Sequence, residues 1–363
     1  MPSKQELIES LIHKYERFIA PFTFVAGFVF DTLTLKRVDL LFDHLVILAN
    51  LILAGLAIIV LNLYEAGRFR FRAVVFLIPF APVLMQFAFG GLFSAFVIFY
   101  TKSAALGKSW IFLLTLIMLL VGNEKFRKKY ERFVFQLSLF FIAVFSYSIF
   151  ALPIFFKKMG DGIFLLSGLA SVILVALFVL FLFRFVSYPI KRNLRVLALS
   201  IGGIYAAFNF LYFLNIIPPA PLSLKESGIY HSIERDNGGY IMSFEPALWY
   251  LFFDETSRIY HWREGEPVYY FSSVFAPTDF AVPIMHRWSF YDDIQKGWVK
   301  KESIRFPITG GRDGGYRGYS FKTAILPGKW RVEVMTGDGR VLGREVFHVV
   351  RKEIAPELKF GIK

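Results

Sequence analysis

The sequence predicts a helical membrane bundle followed by an all-β domain of the immunoglobulin-like sandwich class. Three observations lead to this fold class. The chain of 363 residues is 56% apolar, with 44 Phe and a mean hydropathy of +0.52, which is rare in soluble proteins. Long apolar stretches fill residues 1–217, and short strand-like segments fill residues 218–363. Between them, three prolines in residues 218–221 end the last helix, because proline cannot continue one.

Seven apolar stretches predict transmembrane helices, since a run of about 20 apolar residues crosses a hydrocarbon core of about 30 Å. These stretches are residues 18–34, 40–63, 73–100, 109–122, 133–155, 163–186 and 196–216. The third contains Pro79, Pro82 and the pair Gly90–Gly91. It is either one kinked helix or a re-entrant segment followed by a helix.

The basic residues between these stretches predict the orientation. The gaps that lie on the N-terminal side of the membrane hold 14 Lys and Arg, and the gaps on the other side hold 6. The richer set faces the cytoplasm by the positive-inside rule. We therefore expect a bacterial inner-membrane protein with a cytoplasmic N-terminus and a periplasmic or extracellular C-terminal domain. Most of the net positive charge belongs to the membrane part, which favours contact with the lipid bilayer over nucleic acid as a partner.

The C-terminal region shows a strand pattern rich in β-branched and aromatic residues. Six segments carry it: residues 266–275, 284–290, 303–310, 316–324, 329–336 and 340–350. Gly337-Asp338-Gly339 predicts a tight hairpin between the last two. Residues 222–256 are ambiguous, because the run from Ala247 to Phe253 is either a strand or an apolar segment that rests on the membrane surface.

The sequence lacks the common motifs of catalytic and metal-binding sites. There is no cysteine, which excludes disulfides and thiolate sites. The chain has no nucleophile elbow, no zinc-protease motif and no dinucleotide-binding glycine pattern. Four histidines of the C-terminal region could bind zinc, but none has a strong ligand spacing. We therefore expect no enzyme activity, no cofactor and no metal.

Two groups of residues in the β region are candidates for ligand binding. Arg312 and Arg317 lie within the glycine-rich segment Gly310–Gly318, which is either a tight turn or a bare backbone that presents two guanidinium groups to an anion. His286 and Trp288 occupy alternate positions of one strand and so share a face. They either pack and hydrogen-bond there or contribute to a ligand site. Likewise, four tryptophans of this region form either an aromatic sugar platform or a core, namely Trp262, Trp288, Trp298 and Trp330.

The membrane part contains one polar cluster near its outer surface. Its members are Asp31, Arg37, Asp39, Asp43 and His44. Asp39 and Asp43 are four residues apart and are expected to share a helix face. Ionisable groups near a membrane are often functional, although an interfacial position lowers their cost. Docking of the outer domain is the simplest role for this cluster.

The chain resembles the domain-of-unknown-function family numbered 2914. In the β region the resemblance is carried by Gly265–Tyr269, Val274–Pro277, His286–Trp288, Gly310–Gly318, Pro327–Val332 and Leu342–Arg344. In the membrane region it is carried by Arg17–Phe18, Asp31–Thr34 and Phe89–Ser94. The resemblance implies a bacterial multi-span membrane protein with a C-terminal extracytoplasmic β-domain, and it implies no reaction.

Together these features predict an integral membrane protein that presents an extracytoplasmic β-sandwich to an envelope protein or glycan. The alternative is a transport or enzyme-accessory subunit that acts through the membrane bundle. The scarcity of carboxylates within the apolar stretches disfavours ion-coupled transport, which usually needs one at the membrane midplane.

Overall fold

The computed structural model describes residues 27–35, 37–68, 81–103, 106–122, 132–236, 239–247, 255–352 and 356–363. The chain separates into two compact units. The helical unit takes in the residues up to 101, 110–153 and 161–213. The β unit takes in residues 102–109, 154–160 and 214–363. The predicted order, a helical region followed by a β region, is confirmed.

The described part of the helical unit contains seven helices. They are α1 (residues 27–34), α2 (Leu41–Glu65), α3 (Ala81–Ser103), α4 (Leu106–Gly122), α5 (Phe133–Phe156), α6 (Asp161–Phe183) and α7 (Ser187–Phe213). Within the described residues, α2, α3, α5, α6 and the part of α7 from Ile190 onward are long and apolar enough to cross a membrane, whereas α4 is shorter. Each of these helices overlaps one predicted stretch, but the prediction that all seven stretches cross the membrane is not confirmed.

Two predicted stretches are only partly described. Residues 18–26 of the first and 73–80 of the third lie outside the described residues. From Ala81 onward, α3 continues without interruption through Gly90 and Gly91.

Small residues bring some of the helices together, because they let neighbouring side chains approach closely. A Cβ atom on Gly168 of α6 would lie only 2.7 Å from the Tyr205 ring of α7. On the same helix, Ser171 Oγ donates to Ser148 Oγ of α5 over 3.0 Å. Gly202 and Gly203 of α7 behave differently, since nothing lies within 4 Å of their Cβ positions.

The β unit contains eleven strands in its described part. They are β1 (Ser223–Tyr230), β2 (Ser232–Asp236), β3 (Gly239–Phe244), β4 (Ile259–Trp262), β5 (Val268–Phe275), β6 (Ala281–Asp292), β7 (Gly297–Thr309), β8 (Tyr316–Lys322), β9 (Gly328–Thr336), β10 (Val341–Arg351) and β11 (Lys359–Ile362). The six predicted segments are β5 to β10, and the predicted hairpin joins β9 to β10. The run from Ala247 to Phe253 falls almost wholly on residues 248–254, which lie outside the described residues.

These strands form three sheets. Sheet A has the order β1-β5-β8, sheet B has the order β4-β10-β9-β6-β7, and sheet C has the order β11-β3-β2. All pairs are antiparallel except β4 with β10. The third sheet and the parallel pair were not predicted, and the immunoglobulin-like class is not confirmed.

Sheet A is the middle layer of the β unit. Val268 and Tyr270 of β5 belong to the core shared with sheet B, whereas Phe271 packs with Met242 and Phe244 of sheet C. This arrangement explains the nearly continuous apolar sequence of β5, since a strand covered on both faces has no solvent side to keep polar.

Candidate functional site

The glycine-rich segment connects β7 of sheet B to β8 of sheet A. Its glycines are required by close backbone contacts. A Cβ atom on Gly310 would lie 1.8 Å from the carbonyl oxygen of Pro277, so no side chain fits there. Gly315 has a φ angle of +82°, and a Cβ atom would lie 2.7 Å from Ser273 Oγ. These close contacts fix the backbone path of the segment between the two sheets, and the backbone path sets where its arginines attach.

Three arginines surround a cleft of about 340 Å³ beside this segment, which we call the arginine cleft. Arg312 and Arg317 come from the glycine-rich segment and β8, and Arg235 comes from β2 of sheet C. Tyr240 and Tyr316 complete the wall, and the Arg312 guanidinium lies 5.7 Å from the centre of the Tyr316 ring. The structure therefore brings the two predicted arginines together and adds a third.

Within the described residues, the three guanidinium groups of Arg235, Arg312 and Arg317 have no carboxylate in an ion pair with them. Like charges in one cleft repel each other, and a bound anion would relieve that repulsion through charge-assisted, bidentate hydrogen bonds. The arrangement is thus chemically suited to a carboxylate, a phosphate or a sulfate group.

His286 and Trp288 lie instead in the core between sheets A and B, where both side chains are 0% exposed. His286 Nε2 lies 2.7 Å from Ser272 Oγ, and its Nδ1 lies 2.9 Å from Ser320 Oγ. Trp288 Nε1 donates to the same Ser320 oxygen over 3.0 Å. Burial lowers the pKa of His286 to about 3, so the imidazole is neutral at physiological pH. These residues form a hydrogen-bonded network inside the fold. Because both side chains are buried, neither presents a surface that the predicted ligand could contact.

The four candidate tryptophans lie in two different environments. Trp262, Trp288 and Trp330 are buried in the core, which confirms the packing interpretation for these three. Trp298 lies on the other face of sheet B, beside Tyr291.

A second set of polar residues, centred on the buried Glu245, joins sheet C to β4. Glu245 was not predicted from the sequence. The Glu245 carboxylate is 9% exposed and accepts hydrogen bonds from His231 Nε2 (3.0 Å), His261 Nδ1 (2.6 Å) and the His261 backbone N–H (2.7 Å). Burial raises the pKa of Glu245, but these hydrogen bonds outweigh it and lower the pKa below its usual value. Nothing in the sequence around Glu245 distinguishes it from other carboxylates of this region.

No metal centre emerges from these groups. Among the described residues, no three His, Asp or Glu side chains are placed to hold a metal ion.

The polar cluster of the helical unit assembles much as predicted. The Arg37 guanidinium donates to both carboxylate oxygens of Asp39, over 3.0 and 2.6 Å. Asp43 accepts from the backbone N–H of Arg37 over 2.9 Å, and His44 Nδ1 lies 3.1 Å from the Tyr147 hydroxyl of α5. The helix-face prediction for Asp39 is wrong, because α2 begins at Leu41 and Asp39 lies in the preceding turn.

The fifth member of the cluster, Asp31, lies on α1, before the turn that holds Arg37. A deeper polar contact joins α2 to α5, where Asn62 Nδ2 donates to Gln136 Oε1 over 2.7 Å. The contact is a pair of neutral amides and carries no charge that could couple to ion movement.

Comparison with known proteins agrees with part of this picture. Residues 282–349 match the family model described as "Protein of unknown function (DUF2914)", which confirms the predicted resemblance over β6 to β10. No curated protein matches the chain. Among solved structures, the chain is similar to "Pseudomonas fluorescens alkylpurine DNA glycosylase AlkC bound to DNA containing an abasic site analog", with 9% identity, coverage of 85% of this chain and 99% of that chain, and a TM-score of 0.23. A TM-score this low carries no conclusion about fold or function.

Proposed function

We propose that this chain is a seven-span protein of the bacterial inner membrane whose β unit lies outside the cytoplasm and binds an acidic group of an envelope glycan in the arginine cleft. One observation carries the binding proposal: Arg235, Arg312 and Arg317 converge on a single cleft with no described carboxylate to neutralise them. Arg263, outside the cleft, does have an acidic partner, since it pairs with Glu266 at 2.6 Å.

The orientation is supported by the basic residues and by one contact in the helical unit. The connections on the N-terminal side hold 14 Lys and Arg against 6 on the other side. Arg68 Nε, just after α2, donates to the carbonyl oxygen of Phe185, just after α6, over 3.3 Å. This contact places the ends of α2 and α6 close together. Both ends are expected to lie at the same membrane surface if the chain crosses the membrane an even number of times between them.

Reporter fusions test the orientation. Alkaline phosphatase joined after Lys363 through a flexible linker should be active, since that enzyme requires export, and green fluorescent protein at the same position should stay dark. The reverse pattern would place the C-terminus in the cytoplasm, which would contradict the proposed orientation.

Glycan binding tests the cleft. The full-length protein in nanodiscs of neutral lipid is applied to an array of acidic and neutral envelope glycans, together with the double variant Arg312→Lys, Arg317→Lys. Lysine keeps the charge but loses the planar fork, so each lost bidentate contact should cost about 1–3 kcal/mol of binding free energy. Arg263→Lys, at an exposed ion pair outside the cleft, is the matched control. Unchanged binding by the double variant would refute the cleft as the binding site, and capture of an envelope protein in place of a glycan would change the class of partner.

A further inference from the structure

The outer face of sheet B carries an unusual set of charges. Ile284 and Trp288 of β6 point into the core, so the alternating residues Met285 and Arg287 point outward. The register across β7, β9 and β10 then identifies every residue on the same face. Its basic members are Arg287, Lys300, Arg305, Lys329, Arg331 and Arg344, which together we call the basic face.

A single carboxylate lies among these six cations. Glu333 sits directly between Arg287 and Arg344 in the register and pairs with Arg331 over 3.4 Å. Its side chain is only 6% exposed, so it lies beneath the arginines and not beside them. One carboxylate cannot neutralise three guanidinium groups. Within the described ranges, Arg287 and Arg344 form no ion pair, and the Nε atoms of Arg287 and Arg331 have no hydrogen-bond partner.

Repulsion within the basic face is visible at Arg331. Burial lowers the pKa of Arg331, Glu333 raises it, and the nearby charges of Arg344 and Arg287 lower it further. The guanidinium stays charged, but it is held among like charges. A negatively charged ligand would relieve this repulsion.

Two aromatic rings hold the cations at one end of the basic face. Tyr291 and Trp298 are cross-strand partners whose ring centres lie 5.3 Å apart. Arg331 lies 4.5 Å from the Trp298 ring centre, and Lys329 lies 5.4 Å from that of Tyr291. Cation–π contacts of this kind restrain a side chain while leaving its N–H donors free. The cations are therefore positioned in advance, which lowers the entropy cost of binding.

We propose that the basic face binds an extended acidic polysaccharide, whose carboxylates pair with Arg287, Arg344 and the cations around them. The face runs over four adjacent strands, about 15 Å across at the usual strand spacing. That extent fits a chain with repeated charges, whereas the arginine cleft fits a single group. Four of its six cations are arginines, whose planar fork pairs with discrete carboxylates, whereas attraction to a lipid surface needs only mobile charge.

The test uses the full-length protein in nanodiscs of neutral lipid and polygalacturonate as the probe, with neutral dextran as the control polymer. We expect binding to polygalacturonate that weakens as salt is raised, and no binding to dextran. The double variant Arg287→Gln, Arg344→Gln should weaken binding about tenfold or more. The matched control is Arg263→Gln, which removes an exposed cation outside both the basic face and the arginine cleft and should leave polygalacturonate binding unchanged. The cleft is tested separately, on the glycan array.

A second variant guards against misfolding. Lys300→Gln, Arg344→Gln changes two exposed side chains and should reduce binding with an unchanged melting temperature. Unchanged binding by both double variants would overturn the proposal. Equal binding to dextran, or binding only to vesicles of anionic phosphatidylglycerol, would overturn it as well.

Discussion

The buried His286 network and the exposed arginine cleft lie in the same β unit but treat polar groups in opposite ways. The side chain of His286 is 0% exposed, and both of its ring nitrogens have serine partners. Arg235, Arg312 and Arg317 line an open cleft, and none pairs with a described carboxylate. A polar group that is buried and satisfied contributes to the fold, whereas exposed cations without counter-charges repel one another, and a bound anion would relieve that repulsion. Each prediction below tests one side of this contrast.

The largest effect is expected for Trp288→Ala. Trp288 is fully buried between sheets A and B and donates to Ser320, so its removal leaves a large cavity and takes one of two hydrogen bonds from the Ser320 hydroxyl, which keeps His286 as a partner. The free energy of unfolding should fall by about 3–5 kcal/mol. Pulse proteolysis of the full-length protein in urea measures this loss. Trp298→Ala, on the outer face of sheet B, is the matched control and should cost clearly less.

Removing the Glu245 carboxylate should come next. Glu245→Gln keeps the size of the side chain but exchanges a charged acceptor for a neutral amide that faces two histidines. A loss of about 1–3 kcal/mol in unfolding free energy is expected. Glu264→Gln, at an exposed ion pair with Arg351, serves as the control and should change stability by less than about 0.5 kcal/mol. Equal effects of the two variants would contradict the structural role of Glu245.

The His286 network also predicts a pH dependence. Burial lowers the pKa of His286 to about 3 from its usual value of 6.5, so the folded state resists a proton that the unfolded state accepts. Stability should therefore be constant for this group above pH 6.5 and should fall as the pH drops below 6.5, by about 1.4 kcal/mol per pH unit at most. Glu245 destabilises in the same direction only below its usual pKa of 4.5, so it contributes little between pH 6.5 and 5, and the His286 variant below separates His286 from the other titrating groups in that window.

The matched variant for this prediction is His286→Gln, which keeps hydrogen-bonding capacity without a titrating group. Its unfolding free energy, measured by pulse proteolysis across the same pH window, should show a shallower slope than that of the wild type. Identical slopes would mean that another group carries the acid sensitivity.

A smaller effect is expected at Lys363, whose ammonium group bonds to Glu226 of β1 and, over 2.5 Å, to Glu255 before β4. Burial lowers the pKa of Lys363. The hydrogen bonds that its ammonium group donates to the two carboxylates outweigh this effect of burial, so the pKa is raised. Lys363→Met should cost about 1 kcal/mol, because the amine is partly exposed and solvent screens part of the attraction. Urea unfolding at low and high salt measures both the loss and its screening.

Local patterns in the sequence were sufficient to predict most of the elements. Apolar runs predicted the positions of α2 to α7, and the period-two pattern predicted β5 to β10 because these strands are long and end in clear turns. Sheet C was missed. Its strands have four to six residues, which is too short for a periodic signal.

The contacts between distant segments could not be predicted in the same way. Arg235 reaches the cleft only because β2 belongs to a third sheet, and Glu245 meets His261 only through β4. Asp39 and Asp43 illustrate a further limit, since they approach the same arginine although they do not share a helix. Spacing along the chain predicts neighbours within one element, and it carries no information about which elements pack together.

The most direct test of the contrast between the two sites is Arg235→Lys, because only the three-dimensional structure places this residue in the cleft. Affinity for the acidic glycan selected on the array and the melting temperature are measured together, on the full-length protein in nanodiscs. Our account predicts an unchanged melting temperature and binding about tenfold weaker, as for Arg312→Lys alone. A lower melting temperature with unchanged glycan affinity would contradict it, since Arg235 would then serve the fold and not a ligand.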